Sequence, residues 1–257
     1  MLEGRVVVIV NGSPYVLVMP GVLYDFMSSS EDYNFKFLFT NLLKAVRLLA
    51  LFFALFLPGI YVAISTYHHE LLPTELLFTI EAARKTVPFP TIFEILIMEV
   101  SFELIREAGI RVPSPIGPTI GIVGGLVLGE AAVKANLVSP ILIIVVAITA
   151  ICSFSIPDYS FGFTVRICRF IYIILGYWAG FLGISAGLFI QIALLCSLKS
   201  FGCSYVVPYI LRNNKRSQSS YFLPPIWKRE NRSTTVNPKK KYAQGKISML
   251  WKNENSR

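Results

Sequence analysis

Phe170-Ile171-Tyr172-Ile173-Ile174-Leu175-Gly176-Tyr177-Trp178-Ala179-Gly180-Phe181-Leu182-Gly183 opens a run that reaches Leu198 without one Asp, Glu, Lys or Arg. Residues 48–69 and 135–157 are equally free of charge, and 112–129 is a shorter stretch of the same kind. A helix needs roughly 20 apolar residues to cross a bilayer core, so these runs predict an integral membrane protein. The run from Phe170 is 29 residues long. That exceeds one upright helix and falls short of two full ones, so it reads as one strongly tilted helix or as a tight hairpin of two partial spans. Gly176, Gly180, Gly183 and Gly187 recur at helical spacing on one face, a small-residue pattern that lets another helix approach closely. We expect that face to be an association surface between subunits. Gly124 and Gly129, in the Gly-rich segment 119–134, suggest close helix packing in the same way.

Outward from these runs, the composition agrees. The chain is 54% hydrophobic and 15% charged, against about 25% charged in a soluble domain. The formal charge of +9 is unevenly placed: 199–257 holds 13 Lys/Arg against Glu230 and Glu254, a net +11, which leaves −2 on 1–198. A basic tail beside a near-neutral membrane body points to anionic lipid headgroups. It also suits a positive-inside signal. No aromatic-basic reader module surrounds those charges, which disfavours nucleic acid. Cys152, Cys168, Cys196 and Cys203 show no C-x-x-C spacing and read as small buried hydrophobes.

Residues 5–10 and 15–19 are β-rich and flank Asn11-Gly12, a strong hairpin signal. A lone hairpin is marginal in water, so 1–27 reads as the remnant of a soluble domain. Ser28 to Arg47 reads as an amphipathic lead-in helix. Pro58-Gly59, inside the first apolar run, predicts a kink stabilised by neighbouring helices. The expected fold is an all-α polytopic membrane protein with four to six segments, at about 48–67, 91–108, 116–134, 138–156 and 168–198. A mostly disordered basic tail, 199–257, follows.

The segment from Thr91 is apolar yet carries Glu94, Glu99, Glu103 and Glu107, the last three one helical turn apart. Ionisable residues at membrane depth are costly and usually face a polar cavity. Acids contributed by several subunits would attract cations. The alternatives are an interfacial helix whose acids meet water, with Arg106 pairing Glu103 or Glu107, or salt bridges between subunits. Glu130 is a fourth candidate for an ion path beside Glu94, Glu99 and Glu103, or else an ordinary helix-end pair with Lys134. His68 and His69 are the only histidines, so neither a metal site nor a Ser-His or Cys-His nucleophile assembles from them. Catalytic, metal and cofactor roles are therefore not expected.

Several landmarks occur in a fixed order: Leu2-Glu3-Gly4-Arg5, Asn11-Gly12-Ser13-Pro14, His69-Glu70-Leu71-Leu72-Pro73-Thr74 and Val87-Pro88-Phe89-Pro90. After these come Glu103-Leu104-Ile105-Arg106-Glu107, Gly129-Glu130-Ala131-Ala132-Val133, Val138-Ser139-Pro140 and Ser155-Ile156-Pro157. In this the chain resembles the A subunits of spore germinant receptors, the GerA family, over its membrane half only and without the soluble N-terminal domain. The resemblance implies a multi-pass protein of the bacterial cell membrane, the inner membrane of the endospore. It implies B and C subunits as partners, a homo-oligomer formed through the membrane domain, and a cation path opened by a nutrient. A secondary transporter would need a midplane site, usually with internal repeats. A transporter and a non-functional receptor fragment remain the competing readings.

Overall fold

The computed structural model describes residues 5–12, 16–111, 116–206 and 222–223, and these are mostly helical. A two-stranded ribbon, β1 (Val6–Ile9) and β2 (Val16–Met19), precedes a short helix, α1 (Leu23–Phe26). Six longer helices follow: α2 (Phe37–Thr66), α3 (Thr74–Arg84), α4 (Thr91–Arg111), α5 (Ile116–Lys134), α6 (Pro140–Phe154) and α7 (Tyr159–Ser197). A second small ribbon closes the described chain, β3 (Lys199–Ser200) and β4 (Cys203–Ser204). Among the described residues two helices, α2 and α7, are long and apolar enough to cross a membrane, while α6 is apolar but shorter. The chain divides into two compact units, Met1–Leu48 with Ile190–Arg257, and Leu49–Phe189.

In the first unit β1 pairs antiparallel with β2, Val6 opposite Met19 and Ile9 opposite Val16. Gly12 takes a positive φ of 87° in the turn, where a side chain would be strained. Arg5 pairs with Asp25, whose carboxylate also accepts the backbone N–H of Val22 at 2.9 Å. Ser29 and Asp32 cap the turn at 30–33 reciprocally. Asp32 is buried and meets Arg47 Nη1 at 2.6 Å. No Gly or Pro interrupts Phe37–Leu57, so the lead-in segment and the first apolar run form one helix. Fully buried Lys44 donates to the Tyr24 hydroxyl at 2.8 Å. Asn41 holds the Leu223 backbone with two hydrogen bonds, accepting its N–H at 2.7 Å and donating to its carbonyl at 3.2 Å. Most of the basic tail, and with it the expected disorder and lipid contact, lies outside the described residues.

In the second unit Val62, Ile95, Met98, Leu142 and Ile173 form one buried cluster. Ala54, Phe56, Ala63, Val165 and Tyr172 belong to another. Ser139 caps α6, its hydroxyl accepting the Leu142 N–H, with Pro140 in the first turn. The glycines set how closely the helices pack. A methyl group at Gly125 would lie 2.7 Å from the Phe102 ring, while Gly124 and Gly129 leave ordinary contact with Ile105 and Ile143, each at 3.4 Å. A methyl at Gly176 would lie 2.6 Å from the Gly59 carbonyl oxygen, and one at Gly59 would lie 2.8 Å from that of Tyr172. Backbone thus meets backbone where α2 crosses α7.

α7 breaks at Gly180, whose φ of 58° and ψ of −139° are not helical. Beyond the break, Gly187 lies against the side chains of Leu175 and Tyr172, and Gly183 against the Leu175 carbonyl. Residues 12 to 15 apart in an unbroken helix stand about 18–22 Å apart. The chain therefore turns back at Gly180, and of the two readings of 170–198 the structure has the hairpin. Its glycine face is used within one chain, where the sequence reading expected a second subunit.

Candidate functional site

The acidic face of α4 is met by arginines from the far end of the sequence. Glu99 and Glu103 are one turn apart on α4; Arg166 and Arg169 are three residues apart on α7. The two short rows pair in opposite order, as antiparallel helices require. Arg169 Nη1 donates to Glu99 at 2.6 Å, and Arg166 Nε lies 3.2 Å from Glu103. Glu99 and Arg169 are each 3% exposed, which places a full ion pair inside the helix cluster. Burial of two charges costs several kcal/mol per ion and is offset only by close pairing and further hydrogen bonds.

Arg169 makes one such bond through its Nε, which donates to the Ala54 carbonyl of α2 at 2.7 Å. That carbonyl would ordinarily accept the N–H four residues on, but residue 58 is proline and has none. The Pro58-Gly59 pair thus does two things. Pro58 frees an acceptor for Arg169, and Gly59 lets the Tyr172 backbone come close. The carbonyl that the mid-helix proline leaves free is held by a neighbour, and that neighbour is charged.

Arg106 completes the cluster. Its Nη2 donates to Ser153 Oγ at 2.6 Å, its Nη1 lies 3.6 Å from Glu103, and its guanidinium stacks over the Phe154 ring at 4.5 Å. Within this group Arg106, Arg166 and Arg169 outnumber Glu99 and Glu103 by one. One oxygen of Glu99 and one terminal nitrogen of Arg169 are buried without a hydrogen-bond partner. Each buried polar atom left unpaired in such a network costs its full desolvation penalty.

Glu94 stands apart from this cluster. It is fully buried, accepts the Ser139 backbone N–H at 3.0 Å, and lies 3.9 Å from Arg84 Nε. Glu130 is exposed and pairs with Lys134 at 2.6 Å along α5. So Glu99 and Glu103 come together, whereas Glu94 and Glu130 sit elsewhere. His68 packs on the Phe181 ring at 4.9 Å beside Gly180. Among the described residues no three His, Cys, Asp or Glu side chains converge as metal ligands would. Sequence reasoning offered Arg106 as a partner for Glu103, which the structure has at 3.6 Å, but missed Arg166 and Arg169. The available signal was their spacing, three residues apart at the edge of a charge-free run, matching acids four apart.

Residues 1–235 match the model of the family described as Bacillus/Clostridium GerA spore germination protein. The chain is 42% identical to spore germination protein KA of Bacillus subtilis (strain 168), over 96% of this chain and 45% of that protein. It is 42% identical to spore germination protein A1 of the same organism, over 92% of this chain and 48% of that one. It is 45% identical to the uncharacterized membrane protein YfkQ, also of B. subtilis, over 80% of this chain and 40% of that protein. The chain therefore spans about half the length of the curated relatives it matches. No solved structure matches it.

Proposed function

The chain belongs to the GerA spore germination protein family, and from that membership we propose that it supplies the membrane domain of a germinant-receptor A subunit. Acting with B and C subunits in the inner membrane of the endospore, it converts a small nutrient signal into the passage of monovalent cations. Its part is that of a receptor and gate, not of an enzyme. α2 and the two arms of α7 enter the bilayer, and α4, α5 and α6 join them in a multi-pass bundle. Copies of the domain associate around a shared path. Exposed Glu130 lines that path only where copies meet, and the basic tail rests on anionic lipid.

The observation that carries this reading is the buried charge cluster between α4 and α7. Charges at this depth are expensive and mark ion pathways in membrane proteins. With one arginine in excess, the cluster as it stands repels a cation, much as an arginine barrier does in a selective pore. Separating the arginines from Glu99 and Glu103 would leave carboxylates that attract one. The acids belong to a gate whose closed form hides them.

The test is Glu99→Gln in a complete A subunit with its partners. Removing that negative charge leaves the cluster more positive, so potassium release after nutrient addition should slow several-fold at normal receptor abundance. Release at the normal rate would remove Glu99 from the gate.

A further inference from the structure

A cavity of about 560 Å³ opens between α2, α3 and α6. Its size lies within the roughly 300–1,000 Å³ of small-molecule sites. Ile64 of α2, Leu77 and Ile80 of α3 and Ile141 of α6 give it apolar walls. Glu81 and Arg84, in the last turn of α3, and Lys85, just after it, bring charge to it. Arg84 is anchored from behind by buried Glu94, 3.9 Å from its Nε. The side chain is 27% exposed, and among the described residues it makes no hydrogen bond. A guanidinium offers five donors in a planar fork that matches a carboxylate. Here that fork sits at the edge of an apolar chamber with its donors free.

We propose that this cavity binds a small amphiphilic carboxylate, its carboxylate on Arg84 and its apolar part between Ile64, Leu77, Ile80 and Ile141. The proposal names the ligand class for the sensing half of the role given above, and rests on that role only for what binding would trigger. Binding is read without ion flux, so either reading can fail while the other stands.

The experiment measures affinity calorimetrically on the complete subunit in nanodiscs, with hexanoate, leucine and isoamylamine as probes. Hexanoate and leucine should bind, and isoamylamine, which lacks the carboxylate, should not. Arg84→Gln should weaken both carboxylates at least tenfold. Leu77→Trp, which fills the chamber and leaves every charge in place, should abolish binding and guards against misfolding of the first variant. Isoamylamine binding as well as hexanoate, no binding of any probe at millimolar concentration, or unchanged affinity in either variant would each overturn the proposal.

Discussion

Arg169 joins three helices through one side chain: its own α7, Glu99 of α4 and the Ala54 carbonyl of α2. Arg169→Gln leaves Glu99 buried without its counter-ion, and breaking a buried pair in this way costs about 3–5 kcal/mol. It also strands the Ala54 carbonyl, an orphaned buried acceptor worth about 1–3 kcal/mol. Pro58→Ala gives that carbonyl back a helical N–H. Arg169→Gln should therefore destabilise the Pro58→Ala protein less than the parent, by about 1–3 kcal/mol. Unfolding of the four proteins of this cycle in detergent, titrated with SDS, measures the difference. Equal costs in both backgrounds would mean that Arg169 does not replace the missing N–H.

At the scale of elements, the decisive feature is the reversal at Gly180. Leu175→Cys with Gly187→Cys in a cysteine-free background should crosslink readily in membranes through a short bismaleimide. In an unbroken helix the two positions would stand about 18 Å apart. Crosslinking that appears only between separate chains would contradict the hairpin. The glycine stripe, the Pro58-Gly59 pair and the acidic face of α4 were all legible in the sequence, because each is a local pattern along one helix. Their partners were not. Glu99 and Arg169 are 70 residues apart, and the matched spacing of the acids on α4 and the arginines on α7 was the one hint that the two helices meet. A hairpin was one of two readings of 170–198, but its turning point at Gly180 was hidden, since four glycines on a helical face look alike until one of them leaves the helix. The lead-in segment and the first apolar run merged because nothing between Phe37 and Leu57 ends a helix. Two of the charge-free runs lie in α2 and α7. Among the described residues these two helices are long and apolar enough to cross a membrane. α4 and α5 carry charge and α6 is shorter, so length and apolarity do not single them out.

For the whole molecule, the central claim is that the α4–α7 charge cluster gates cation passage through its net charge. Because the chain spans about half the length of its relatives, that claim belongs to a complete receptor. The Glu103–Arg166 pair offers a test that separates gating from damage. Glu103→Gln and Arg166→Gln break the same contact, so a merely structural role predicts the same defect from both. They change the charge of the cluster in opposite directions. Potassium release from spores carrying each variant in a complete A subunit, at matched receptor abundance, should be slower than normal in Glu103→Gln. In Arg166→Gln it should be faster, or begin without nutrient. Both variants shifting the same way, or both releasing potassium at the normal rate, would contradict a charge-operated gate.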